Sequence, residues 1–151
     1  MNAHATRILV VDGWVKAAVA LGYRLQALGC EVRTAHDESS ALLGAALLRP
    51  QLVFIDGALL TAGRLPGMLR QLLLNEPLTI VCLYSPLDDG GRRMTRACGA
   101  DLSLGKPPPD AELQELLDGS GRLDEEPVLV LPDVLPAGPP GAGPGLDRPR
   151  R

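Results

Sequence analysis

A chain of 151 residues has room for one domain of ordinary size and a tail, and its hydrophobic fraction of 46% rules out wholesale disorder. A net charge of −3 supplies no basic footprint for nucleic acid. With only 3% aromatic residues, base-stacking platforms and aromatic cages are also poorly provided for.

The first element is Arg7–Val11 (RILVV), nearly continuous in Ile, Leu and Val, which suits a central strand covered on both faces. Val15, Ala18, Val19, Gly22, Leu25 and Leu28 then recur at helical spacing until Gly29 ends the helix. Glu31–Ala35 (EVRTA) is more polar and reads as an edge strand. Asp37 is placed to cap a second helix that stops before Pro50. Gln51–Ile55 (QLVFI) repeats the central-strand pattern. Leu65, Met68, Leu69, Leu72 and Leu73 predict a third helix ending near Asn75 and Pro77. Thr79–Leu83 (TIVCL) is the last central strand. Asp88–Cys98 predicts a short charged helix with a thin apolar side of Met94, Ala97 and Cys98. Asp101–Leu104 (DLSL) reads as the other edge, and Asp110–Asp118 as a final helix burying Leu113, Leu116 and Leu117. The strands begin about every two dozen residues, the length of one strand-plus-helix unit in a parallel sheet. Five such units predict an α/β doubly wound sandwich.

Beyond residue 118 the composition changes. Residues 119–151 hold seven of the 14 prolines and six of the 17 glycines, which predicts a flexible tail behind a domain of residues 6–118. Within that tail Glu126–Pro132 (EPVLVLP) is an apolar island, read either as linker or as a peptide that adds a strand to a sheet edge. Arg148, Arg150 and Arg151 read as a solvated terminus. The chain opens without a basic region and apolar run, and its aliphatic stretches are too short to span a bilayer, so the expectation is a cytoplasmic protein with no membrane partner. Cys30, Cys82 and Cys98 lie far apart without a C-x-x-C, as reduced structural thiols do.

In an open parallel sheet, ligands bind beyond the carboxyl ends of the strands. Those ends carry Asp12, Asp56, Tyr84-Ser85 and Gly105-Lys106-Pro107. A lone Asp at a strand end is most often a helix cap. Two carboxylates, a hydroxyl and a lysine arriving at one rim from four strands are a more specific pattern.

The runs Ile8–Asp12 and Leu52–Asp56, with Gly99-Ala100-Asp101 and Gly105-Lys106-Pro107, resemble the CheY-like receiver domain of two-component response regulators over about residues 6 to 118. The resemblance implies a flavodoxin-like (βα)5 fold with strand order 2-1-3-4-5. It also implies a domain, not itself an enzyme, that takes a phosphoryl group from a histidine kinase or phosphotransfer protein. By matching positions, Asp56 is the candidate phosphoacceptor, Asp12 and Asp56 form the acidic pocket for Mg²⁺, and Lys106 pairs with the phosphate. Tyr84 occupies the strand-four switch position and Ser103 the strand-five one.

Several positions depart from that pattern. Gly13 stands where a second metal-ligating acid is usual, and magnesium tolerates the loss of a carboxylate poorly. Tyr84, 22 residues before Lys106, replaces a small hydroxyl; its own hydroxyl is expected to point at Asp56 and hold the pocket in one state. Ser103 supplies no ring to swing, and the loop Gly57–Gly63 lacks the usual proline. These are marks of an atypical or pseudo-receiver, so a phosphate-independent interaction or scaffold domain is the alternative reading. A small-molecule binder on the same fold is another, with Trp14 available to stack a ring. A hydrolase built on Asp12 and Asp56 lacks its partner acid. No helix-turn-helix or enzymatic output segment follows residue 118, so output is expected through a downstream protein partner. Arg92, Arg93 and Arg96 give the fourth helix a basic side, and a homodimer remains open.

Overall fold

Strands continuous in Ile, Leu and Val must be covered on both faces, and that demand sets the architecture. The computed structural model describes residues 5–60 and 63–125, with side chains to residue 119. Five parallel strands, β1 (Arg7–Val11), β2 (Glu31–Ala35), β3 (Leu52–Asp56), β4 (Thr79–Tyr84) and β5 (Leu102–Gly105), form one sheet in the order β2-β1-β3-β4-β5. The two polar runs are its edges, as expected. Against the sequence expectation, β3 and β5 shift by one residue and β4 gains one. These shifts bring Asp56 and Tyr84 into the ladder, opposite Leu83 and Gly105.

Helix α1 (Val15–Ala27) and, through Leu113, Leu116 and Leu117, the first half of α5 (Asp110–Glu125) cover one face of the sheet; α2 (Glu38–Leu48), α3 (Leu65–Leu72) and α4 (Asp89–Ala97) cover the other. A turn of 3₁₀ helix, Gly57–Leu60, follows β3. On the α1 side, Ile8, Val10, Phe54 and Val81 pack with Leu21, Leu25 and Leu113. On the α2–α4 side, Leu9, Val53, Ile55 and Ile80 pack with Ala41, Ala45 and Leu69. The sheet thus separates two apolar layers, the flavodoxin-like arrangement.

Helix ends follow local chemistry. Asp37 accepts the Ser40 N–H at 2.8 Å while Ser40 Oγ accepts the Asp37 N–H at 3.1 Å, a reciprocal capping box at the start of α2. Gly29, at φ +93°, turns the chain out of α1 so that Cys30 N–H reaches the Leu25 carbonyl.

Helix faces were less well anticipated. In α1 the buried residues are Ala18, Leu21, Gly22 and Leu25, whereas Val15 and Val19 lie exposed. The helix seats on its small residues: a Cβ at Gly22 would already touch Val32 and Thr34 of β2, so the bulkier valines turn outward. In α4 the inward face is Gly91, Thr95 and the flanking Cys98, and Met94 and Ala97 lie outside it. Helix α3 stops at Leu72, and Pro66 with Leu73, not Met68 or Leu72, join Leu65 and Leu69 inside. Helix α5 continues past Asp118 to Glu125. Gly119 and Gly121 each weaken a helix by only about 1 kcal/mol, and no proline intervenes before residue 127. The rest of the Pro/Gly-rich segment expected over 119–151, including Glu126–Pro132 and the terminal arginines, lies outside the described residues. Among the described residues, no helix is long and apolar enough to cross a membrane.

Candidate functional site

Parallel strands all point the same way, so residues that end them share a rim. Asp12 follows β1 directly and is 4% exposed. Its N–H donates to the Ala35 carbonyl at 2.9 Å, its carbonyl lies 3.0 Å from His36 Nδ1, and its Oδ1 accepts the Trp14 N–H at 2.9 Å. Trp14, not Asp12, is the N-cap residue of α1. Asp56 ends β3. Lys106 follows β5, with its backbone N–H held by the Tyr84 carbonyl at 2.8 Å.

The three side chains meet. Lys106 Nζ lies 2.6 Å from Asp12 Oδ2 and 2.9 Å from Asp56 Oδ1, with Asp56 and Lys106 about a fifth exposed. Burial alone would lower the Lys106 pKa; the hydrogen bonds and charges of both carboxylates outweigh it and hold the ammonium above its ordinary value. One cation therefore bridges two carboxylates in a partly dry corner.

A receiver-type pocket is expected to hold Mg²⁺, and the donor set argues against a fit here. Among the described residues, no group of three or more His, Cys, Asp or Glu side chains is placed to hold a metal ion. Both oxygens of Asp12 and one of Asp56 are engaged, and an ammonium already stands between the two carboxylates. Magnesium wants near-octahedral oxygen ligands and surrenders water reluctantly, so two carboxylates already shared with an ammonium are a poor donor set for it. Gly13 is not a steric obstacle: a Cβ there would meet only the His36 carbonyl oxygen, at 3.8 Å. What the position lacks is a donor.

Tyr84 reaches the same rim from the other layer. Its hydroxyl does not turn to Asp56 as expected; it lies 3.4 Å from Thr95 Oγ1 of α4, and the ring packs beside Gly57 and Gly91. Burial pushes the phenol pKa up, Thr95 opposing it and the Cys82, Cys98 and Asp56 charges adding to it. The physical reason is alternation: Tyr84 shares the face of Ile80 and Cys82 with the α2–α4 layer, whereas Asp56 continues the opposite face of Leu52 and Phe54. Ser103 is half-buried opposite Cys82 in β5, one layer away from Lys106. Thr95, Gly57 and Gly91 went unrecognised as partners of this ring, and the only signal for them was the ring itself, which needs small neighbours.

The rim opens into a groove of about 1220 Å³ whose walls include Asp12, Asp56, Tyr84, Lys106, Trp14 and Met94. Trp14 borders it but is 65% exposed, so it does not cover the carboxylates.

No protein-family model and no curated protein matches the sequence. Solved structures do match the fold. Chemotaxis protein CheY4 of Vibrio cholerae aligns with a TM-score of 0.66 at 23% identity, over 77% of this chain and 98% of that one. A chain of the Saccharomyces cerevisiae complex between the histidine phosphotransfer protein Ypd1 and the receiver domain of the response regulator Ssk1 aligns at 0.68 and 18%, over 80% and 91%. NtrX of Brucella abortus aligns at 0.69 and 26%, over 81% of this chain and 29% of that one. The chain has the fold of the CheY-like receiver domains of two-component response regulators.

Proposed function

We propose that this chain is a signalling module of receiver type whose acidic pocket is held in one charge state by Lys106, and whose output runs through protein contacts without a phosphoryl switch. The observation that carries the reading is the Lys106 ammonium bridging Asp12 and Asp56 at 2.6 and 2.9 Å. A phosphoryl group arriving at Asp56 would bring further negative charge against buried Asp12, and among the described residues Lys106 alone forms an ion pair with either carboxylate. The absent donor at Gly13, the ring at Tyr84 and the ringless Ser103 point the same way. Contact surface is available on α4 and β5, where Arg93, Arg96, Met94 and Leu102 are exposed.

One observation favours a second reading, in which Asp56 accepts a phosphoryl group from a histidine kinase or phosphotransfer protein. Asp56 Oδ2 has no hydrogen-bond partner among the described residues, and the side chain borders the groove. In that chemistry Asp56 attacks phosphorus, the P–N bond of the phosphohistidine breaks, and the imidazole leaves with a proton.

Incubation with acetyl phosphate and Mg²⁺ followed by intact-mass measurement separates the two. The wild-type chain is expected to stay unmodified, and Gly13→Asp, where a Cβ meets only the His36 carbonyl oxygen at 3.8 Å, to gain one phosphoryl group. A wild-type adduct that disappears in Asp56→Asn would replace the first reading with the second.

A further inference from the structure

The Tyr84 ring lies where three elements meet. Gly57, the residue after Asp56, begins the 3₁₀ turn; Tyr84 ends β4; Gly91 and Thr95 belong to α4. A Cβ at Gly57 would overlap ring carbons Cδ1 and Cε1, and one at Gly91 would stand 2.9 Å from Cγ and 3.1 Å from Cδ2. Neither position has room for alanine while the ring is in place. Thr95, 3% exposed, donates to the Gly91 carbonyl at 2.9 Å and also meets the Tyr84 hydroxyl. Two glycines therefore stand against the half-buried ring, with a hydroxyl at its tip.

We propose that Tyr84 is a fixed wedge: it sets the position of α4 against the end of β3, and Gly57 and Gly91 are the space that admits it. The proposal deepens the reading of a module with one state, because any approach of the β4–α4 junction towards Asp56 must first expel the ring. It assigns to Gly57, Gly91 and Thr95 a common task that their separation in sequence hides. The wedge acts through packing. The 3.4 Å hydroxyl contact with Thr95 is secondary to the packing of the ring against the two glycines.

The test is a mutant cycle on the full chain, read by urea unfolding and hydrogen exchange, with no phosphoryl donor present. Gly91→Ala is expected to lower the unfolding midpoint in the wild-type background, because the new methyl meets the ring. In Tyr84→Thr the same substitution is expected to raise the midpoint, because alanine is the better helix former once the ring is gone. Amides of α4 are expected to exchange about tenfold faster in Tyr84→Thr and within about threefold of wild type in Tyr84→Phe, which keeps the ring. Equal shifts for Gly91→Ala in both backgrounds, or unchanged α4 exchange in Tyr84→Thr, would overturn the wedge. Should Tyr84→Thr fail to fold, the Gly91→Ala and Tyr84→Phe/Gly91→Ala chains decide: both must lose stability, and a gain in either refutes the proposal. The two ideas fail separately. A phosphoryl adduct on wild-type Asp56 removes the functional reading and leaves the wedge, whereas equal Gly91→Ala shifts remove the wedge and leave the functional reading.

Discussion

The Lys106 ammonium answers two carboxylates at once, and Asp12, the more buried of them, has no other cation partner among the described residues. Replacing Lys106 by methionine keeps most of the side-chain volume and leaves two like charges facing each other. Removing one partner of a fully buried pair costs about 3–5 kcal/mol; with Lys106 and Asp56 about a fifth exposed, water screens part of that, and a loss of about 2–3 kcal/mol is expected at pH 7. The pH dependence follows from the sign of the lysine shift. A raised pKa in the folded state means that the contribution is complete below the unfolded value, about 10.4, and disappears as pH climbs through the folded one. The stability gap between wild type and Lys106→Met, measured by urea unfolding, should therefore hold steady from pH 7 to 9 and shrink only above about pH 10.4. A gap already closed at pH 9 would mean that Lys106 is not the cation holding Asp12.

Central strand β4 carries its own reporter. Cys82 is fully buried in mid-strand, and that burial pushes its thiol up to about 12, with Thr95 pulling modestly the other way. Burial suppresses the reactive thiolate, and the side chain lies fully buried beneath the α2–α4 layer, out of reach of a reagent while that layer is in place. Alkylation of Cys82, followed by peptide mass spectrometry, should thus proceed at the rate of global unfolding and accelerate in parallel with it as urea is added. Modification faster than unfolding would show that the α2–α4 layer lifts from β4 on its own. At this same scale the limits of reading elements from sequence become clear. Strands such as RILVV could be located to within a residue, because a run apolar on both faces fits little else so short. The inward faces of α1 and α4 could not. Of their contact residues, Gly22 lay in the expected stripe, but Gly91 and Thr95 take too little space to register in a hydrophobic count, which favours Val15, Val19 and Met94 instead.

Across the whole molecule, strand direction was the most informative property of the sequence. Once the five runs were read as parallel, Asp12, Asp56 and Lys106 had to share a rim, whatever the details of the helices. The partners of Tyr84 were hidden for the opposite reason, since a glycine contributes by the Cβ it lacks, and the lack has meaning only beside a particular ring. The same parallel sheet divides the interior into two apolar layers with no shared helix, and this has an energetic consequence. Leu69 of α3 and Leu113 of α5 are both fully buried, one in each layer. Truncating either to alanine should cost about 2–5 kcal/mol, the usual range for a buried leucine that leaves a cavity. Because the two cavities open on opposite faces of the sheet, the double variant should lose the sum of the single losses to within about 0.5 kcal/mol. Urea unfolding of the four chains measures this directly. A double variant much more stable than the sum would mean that the layers relax together through the strands, and that the sheet is a softer partition than its packing indicates.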